Sequence, residues 1–383
     1  MMKDYEHDIE EDEHIEKIKE EEEESYSDDD LYNITSWGVD MTFRELITLY
    51  EEGDLLKPEI QRKYVWDKVE ASRFIESLLM GLPVPSIFLA KEGEKRLIVD
   101  GYQRIMTVRD YVDGVFTKDN SVFTLTNNIN ERWRGKTFKQ LQPDEQKRIK
   151  IYSIHSIVFE QKYPKNSDTS LYQIFERINT GGRTLKPQEI RNCIYQGPFN
   201  KLLIELNKNP NWRKLWGIEN EDDRMCDIEF ILRFFALTDK KVWEREGGQI
   251  SLKKHLNLYM SSEDAKKEDI LNKREEDFKD MTDFVYENIG NEAFFGITKK
   301  EDGTFSSTRK IQPTIFDSIA ISTLRALRSD KEVNKKDLED RRKRLLTDKK
   351  FVEFSTIRTT NIEHIKGRIN LASKYLYDIK KTR

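Results

Sequence analysis

Cysteine is scarce: Cys193 and Cys226 are the two in 383 residues. That excludes a disulfide scaffold and fits a reducing cytoplasm. No C-x-x-C pair occurs. The five histidines, His7, His14, His155, His255 and His364, show no zinc or His-nuclease spacing. His155 sits in a strand pattern and is expected as half-buried scaffold. No Ser-His-Asp arrangement can be argued. There is no run of about 18 apolar residues, so no membrane span is expected. The N-terminus lacks the apolar stretch of a secretory signal. G-x-x-x-x-G-K-S/T is missing, which excludes a P-loop. No repeat of 20–50 residues is visible.

Charge is abundant. The chain is 36% charged and 37% hydrophobic, with enough apolar material for about two domains. The net charge of −5 is unevenly divided. Residues 1–30 hold 16 Asp and Glu against three Lys, a net of −13, which leaves +8 for the rest. Residues 1–31 read as an acidic disordered tail, since such a segment buries too little apolar surface to fold. The basic remainder can attract phosphate-rich partners.

Residues 32–200 mix helix and strand signals. Thr42 and Glu45 form a capping box for a helix over "TFRELITLYEE". Asp67 caps and Gly81 ends a helix over 68–80. "IFLAKEGEKRLIVD" predicts two strands around a turn, and the helix after Gly101 stops at Gly114. "SVFTLT" (121–126) and "YSIHSIVFE" (152–160) predict strands, "PDEQKRI" and 169–179 helices, and Pro187 opens another helix. Residues 201–383 have helical period almost throughout. The fold class is α+β, a mixed N-terminal domain followed by a mainly helical one.

Four stretches carry candidate chemistry. In "IVDGYQR" a strand meets a helix at Gly101. Such a corner gathers backbone N–H groups at a helix N-terminus, an anion site by geometry and dipole. Arg104 can make a bidentate phosphate contact. Asp100 can hold that arginine or a metal ion. A structural D-G turn has the same pattern. In "IQRKYVW" the pair Gln61 and Arg62 precedes Trp66, either lining a cleft or forming a surface turn. In "FERINTGGR" Arg177, Asn179, Gly181, Gly182 and Arg183 form a second glycine-rich basic corner or an ordinary helix C-cap. In "CDIEFILRF" Asp227 fits an N-cap, and Glu229 and Arg233 an i,i+4 pair. Residues i and i+2 of a helix diverge too far to share one metal ion. The basic run 334–350 can touch a nucleic-acid backbone or form a solvated helix face, and the latter is the expectation.

Taken in order, "IQRKYVWD", "FIESLLMGLPVPSIFL", "IVDGYQRIMTV", "FERINTGGRTLKPQEIRN" and "DIEFILRFFAL" resemble the N-terminal domain of GmrSD-type restriction proteins over roughly residues 35–240. The resemblance implies a ParB/sulfiredoxin-like fold, a D-G-Q-Q-R motif tied to nucleotide binding and hydrolysis, and a role in defence against foreign DNA. Asp100, Gly101, Gln103 and Arg104 match that motif; Asp100, Gln103 and Arg104 are the implied catalytic residues, and Gly101 and Arg104 match the phosphate turn. Tyr102 stands where the family has glutamine. It lacks the amide's paired donor and acceptor; it can stack on a base, or mark weakened or lost hydrolysis.

The expected nucleotide- or phosphate-binding residues are Gln61, Arg62, Gly101, Tyr102, Arg104, Thr107, Arg177, Asn179 and Gly182. The expected ligand is an NTP with Mg²⁺, with Gln61 or Gln103 orienting water. No metal-ligand set can be named. Residues after 240 show no His-Asn-His motif, so DNA cutting by this chain alone is not expected. DNA and a partner nuclease are the further partners considered, with the chain then acting as a DNA-sensing module.

Overall fold

Thr42 starts the first helix as the sequence predicts. Its Oγ1 accepts from the Glu45 N–H, and the Glu45 carboxylate accepts from the Thr42 N–H at 2.6 Å. The structure, a computed structural model, describes residues 14–16, 18, 33–57, 66–163, 169–178, 186–300, 304–329 and 332–379. The chain divides into two compact units. One comprises Asp29–Leu185 with Glu189–Ile194; the other comprises Met1–Asp28, Lys186–Gln188 and Tyr195–Arg383.

The first unit contains β1 (Asn33–Thr42), α1 (Phe43–Glu52), β2 (Leu55–Leu56), α2 (Lys68–Met80), β3 (Ile87–Glu92), β4 (Lys95–Asp100) and α3 (Tyr102–Asp113). There follow β5 (Val115–Phe116), β6 (Ser121–Val122), α4 (Pro143–Ile151), β7 (Ser153–Tyr163) and α5 (Thr169–Ile178). A five-stranded mixed sheet runs β1-β7-β3-β4-β2. β1 and β7, and β3 and β4, pair antiparallel; β3 and β7, and β2 and β4, pair parallel. Phe43 and Leu46 of α1, Ile75 and Leu78 of α2, and Ile105 and Val108 of α3 share one core with Leu89, Ile98 and Val158 of the sheet. Asp67 caps α2 through bonds from the Val69 and Glu70 N–H groups. Pro187 opens α6 (Pro187–Ile194).

Several expectations are corrected. β1 is a ten-residue strand that the apolar pattern does not announce, because Ser36–Asp40 are exposed. "SVFTLT" supplies only the two strand residues of β6. Phe123 and Leu125 are buried in a loop whose backbone bonds to Gly114 and Lys136. His155 is exposed, not half-buried. Its Nδ1 lies 2.8 Å from Asp40, its cross-strand neighbour, and its ring covers Gly38, where a Cβ would lie 2.6 Å from it.

The second unit is helical, as its period predicts: α7 (Pro198–Asn207), α8 (Pro210–Trp216), α9 (Cys226–Thr238), α10 (Lys240–Glu244), α11 (Leu252–Met260), α12 (Glu268–Asn288), α13 (Pro313–Leu327), α14 (Leu338–Thr347), α15 (Lys349–Thr356) and α16 (Ile362–Tyr377). No helix among the described residues is long and apolar enough to cross a membrane. An unexpected hairpin of β8 (Phe295–Lys299) and β9 (Phe305–Ile311) interrupts the helices. β9 hides from sequence inspection because Ser306, Ser307, Thr308 and Arg309 give no alternation, and Arg309 sits at φ 55°. Asp227 is not the cap of α9: Met225 holds that position. Buried Asp227 instead accepts from Arg213 at 2.6 Å and Asn207 at 2.8 Å, and burial pushes its carboxyl up. Arg233 reaches Asp317 at 2.7 Å, and Arg368 reaches the same carboxylate at 3.1 Å.

The acidic segment is not wholly unpaired. Ile15 forms a parallel bridge with Ile311. The Ile311 N–H donates to His14 O and the Glu16 N–H to Ile311 O, both at 2.9 Å. His14 Nε2 donates to the Trp216 carbonyl, and the ring packs edge-on against Trp216 and Phe295. These three residues clip the N-terminal segment to the hairpin.

Asp317→Ala leaves two buried guanidinium groups without their shared carboxylate, and such losses cost about 3–5 kcal/mol. Urea unfolding is expected to show that drop, and a loss under about 1 kcal/mol would contradict the pairing. Desolvation lowers the His14 pKa, ahead of the opposing Trp216 carbonyl bond, the raising charge of Asp222 and the lowering charge of Arg213. Neutral His14 is therefore the form the clip favours. Its stabilisation is complete above the ordinary histidine value of 6.5 and is lost as pH falls through and below it. The His14 ring resonance in NMR is expected to titrate below 6.5, and a higher midpoint would refute the burial.

Candidate functional site

The corner at residues 100–104 forms where β4 ends. Leu97, Ile98 and Val99 are all buried, so the strand delivers Asp100 to its C-terminal tip in a fixed place. Gly101 then adopts φ 106°, the left-handed region open to glycine at least cost. A Cβ there would lie 2.7 Å from Ile87 Cγ1 of the neighbouring strand. Both the turn and the close approach demand glycine. α3 begins at Tyr102 with no side-chain cap on its first turn. A helix start left uncapped presents N–H groups and the positive end of the helix dipole to an anion.

Arg104 folds back over this turn. Its Nη1 donates to Asp100 Oδ2 and to Ser86 O, each at 3.1 Å. The guanidinium thus joins the end of β4, the entry to β3 and the first turn of α3. The Arg104 side chain is 15% exposed and that of Asp100 36%. Of the two roles the sequence leaves to Asp100, the structure shows the arginine contact. Gln103 Oε1 accepts from the Trp66 N–H at 3.4 Å, a long bond. Thr107 is fully buried and donates to Gln103 O at 2.8 Å, so its hydroxyl braces the helix within the core.

Tyr102 is 7% exposed. Its ring packs 6.3 Å from that of Tyr50, and burial, first, with the neighbouring Tyr50, pushes its hydroxyl pKa well up. A ring so placed is not available to stack on a base; it fills the core beneath the turn. Arg109 lies over Tyr50 at 5.8 Å and pairs with buried Asp110 at 3.0 Å. Asp110 also accepts from the Thr117 N–H and hydroxyl.

Lys57 escapes sequence reasoning, since a single lysine before a proline carries no motif. Its ammonium lies 4.7 Å from the Tyr102 ring centroid. Burial, and then the like charge of Arg109, holds its pKa below the ordinary lysine value. Gln61, Arg62, Asn179, Gly181, Gly182 and Arg183 lie outside the described residues. The segment that carries Gln61 and Arg62 has its two described flanks, Lys57 and Trp66, against Tyr102 and Gln103. Arg177 is exposed in the last turn of α5. Among the described residues no group of three or more His, Cys, Asp and Glu side chains is placed to hold a metal ion. In the run 334–350, Arg341 bonds to Leu376 O and Asp378, and buried Arg342 to Ala293 O and Phe295 O, while Lys343 pairs with Glu339 on the outer face.

Gly101→Ala combines backbone strain with a clash against Ile87. It is expected to destabilise the fold by about 2 kcal/mol or more, read as a lower denaturant midpoint. An unchanged midpoint would show that the turn can relax.

The model of the family described as GmrSD restriction endonuclease, N-terminal domain, matches residues 43–196. The match begins at α1, ends just after α6 and contains the whole corner. The "DIEFILRFFAL" stretch lies beyond it. No curated protein and no solved structure matches the chain.

Proposed function

We propose, from the premise that residues 43–196 belong to the GmrSD restriction endonuclease N-terminal domain family, that this component of a restriction or phage-defence type system binds a nucleoside triphosphate at the 100–104 corner. The observation that carries the reading is the pairing of a glycine no other residue can replace with an uncapped helix start. Backbone N–H groups and the dipole of α3 would meet the phosphates. Arg104 then acts through position: bonded to Asp100 and Ser86, it holds the turn in the shape the ligand needs. Asp100, a third exposed, is the group that would face a divalent ion brought in with the phosphates. Gln103, or Gln61 outside the described residues, is the amide that would orient water.

Binding is the primary claim, with hydrolysis secondary. At position 102 a buried tyrosine replaces the amide of the usual motif, which removes one polar group from the turn. A partner nuclease would supply the DNA cutting that this chain shows no motif for.

The net charge of +8 outside residues 1–30 favours a second reading, a DNA-sensing module that uses the same corner for backbone phosphates. Salt separates the two. DNA binding held by several phosphate contacts weakens steeply with salt, and a nucleotide in a preformed turn weakens far less.

Titration of ATP, GTP, CTP and UTP with Mg²⁺ is expected to give saturable binding to at least one. Arg104→Ala is expected to weaken it by about tenfold or more, the scale of the charged hydrogen bonds that hold the turn. Normal binding by that variant would remove Arg104 from the site, and no binding of any nucleotide by the native chain would leave the DNA reading.

A further inference from the structure

We propose that the outer edge of β1 pairs with the same edge of a second copy of this chain, antiparallel and two-fold about Gly38, so that two sheets join into one. This goes beyond the reading of the corner and does not depend on it.

β1 is an end strand of the five-stranded sheet, bonded on one side to β7. No strand among the described residues pairs with its other edge. It is ten residues long, and its middle, Ser36–Asp40, is exposed. An open edge is a row of backbone N–H and C=O groups that can template another strand, and proteins blunt such edges with proline, lysine or a very short strand. β1 uses none of these. "NITSWGVDMT" holds no proline and no basic residue. Its register shift lies at the far end, between Asn33 and Ile34. Its one carboxylate, Asp40, is 2.8 Å from His155 Nδ1 of β7. Apolar side chains stand where a blunted edge would carry charge: Trp37 is 39% exposed and Val39 37%. Two residues apart, they share one face of the strand.

The exposed run itself selects the partner. Residues directly opposite in an antiparallel pair share a face and touch. A two-fold axis through Gly38 is the one that pairs Ser36–Asp40 wholly with itself. It sets Trp37 of each copy against Val39 of the other, and Ser36 of each against Asp40 of the other. Apolar meets apolar at both positions, and an aromatic against a β-branched residue is a pairing that stabilises sheets. Each carboxylate meets a hydroxyl. Neighbouring registers lose this match. An axis through Asp40 opposes two carboxylates, and one through Val39 sets Trp37 against Met41, which is buried in the core just before α1. A surface complementary to itself about a two-fold axis is what an isologous dimer requires. Trp37, beside the axis, is the kind of residue that anchors an interface.

The test is sedimentation velocity of the full chain at loading concentrations up to about 100 μM, with Ser36→Asp, Ser36→Lys and Trp37→Ser run beside it. The native chain is expected to dimerise. Ser36→Asp places a carboxylate opposite Asp40 twice per dimer and is expected to weaken it by about fivefold; Ser36→Lys places an ammonium there and is expected to strengthen it by a similar factor. Trp37→Ser is expected to weaken it by about tenfold or more. Ser36 is exposed, so its two variants keep the native fold, which a thermal melt checks; they carry the test even if Trp37→Ser does not fold. A native chain that stays monomeric at every concentration overturns the proposal. A dimer of equal strength in all three variants uses another surface and overturns it as well. A dimer on which the two Ser36 charges act with the same sign overturns the register through Gly38.

Discussion

Arg104 is the tie on which the N-terminal unit's functional corner depends. One guanidinium nitrogen bonds to Asp100 at the tip of β4 and to the Ser86 carbonyl at the entry to β3. Two strands and a helix are thereby fastened at a single point, and the parallel and antiparallel pairings of the sheet bring that point to one end of it. The glycine between β4 and α3 follows from this fastening. With the strands and the helix drawn together, Ile87 occupies the space in which a side chain at position 101 would have to stand. Sterics and the ion pair therefore act together, and neither would fix the turn so well alone.

Charge at the corner is distributed by need. The two arginines of α3 are committed to carboxylates on the same helix or beside it, and they serve the architecture. Tyr102 and Thr107 belong to the core, under the turn rather than at its mouth. What stays partly exposed at the turn is the carboxylate of Asp100. A motif read as a row of functional side chains thus resolves into a few that build the turn and fewer that can meet a ligand.

This distinction marks the limit of what was legible in the sequence. Local rules worked wherever the determinant was local. The Thr42–Glu45 box, the Asp67 cap, Pro187 at the head of α6 and the helical period beyond residue 200 all describe interactions within a few residues. They failed where the determinant was distant. β1 and β9 are strands because β7 and β8 offer them partners, and their own residues show little alternation. Asp227 looks like a cap and is the anchor of a buried guanidinium fourteen residues back in the chain. In the corner itself, position 101 was legible as glycine-specific. The partner of Arg104 was legible only as one of two alternatives, and Lys57 was not legible at all, because its environment is made by residues about fifty positions away.

The clip at His14–Glu16 has a consequence for the order of assembly. Its partner strand ends at Ile311, almost three hundred residues later. A chain growing from its N-terminus completes the sheet-bearing unit, Lys57 and the corner included, long before that strand exists. Contacts between residues so far apart in sequence form late. Closure of the clip is thus a report that synthesis has passed the hairpin, and for most of its time on the ribosome the acidic segment is present without the site that holds it.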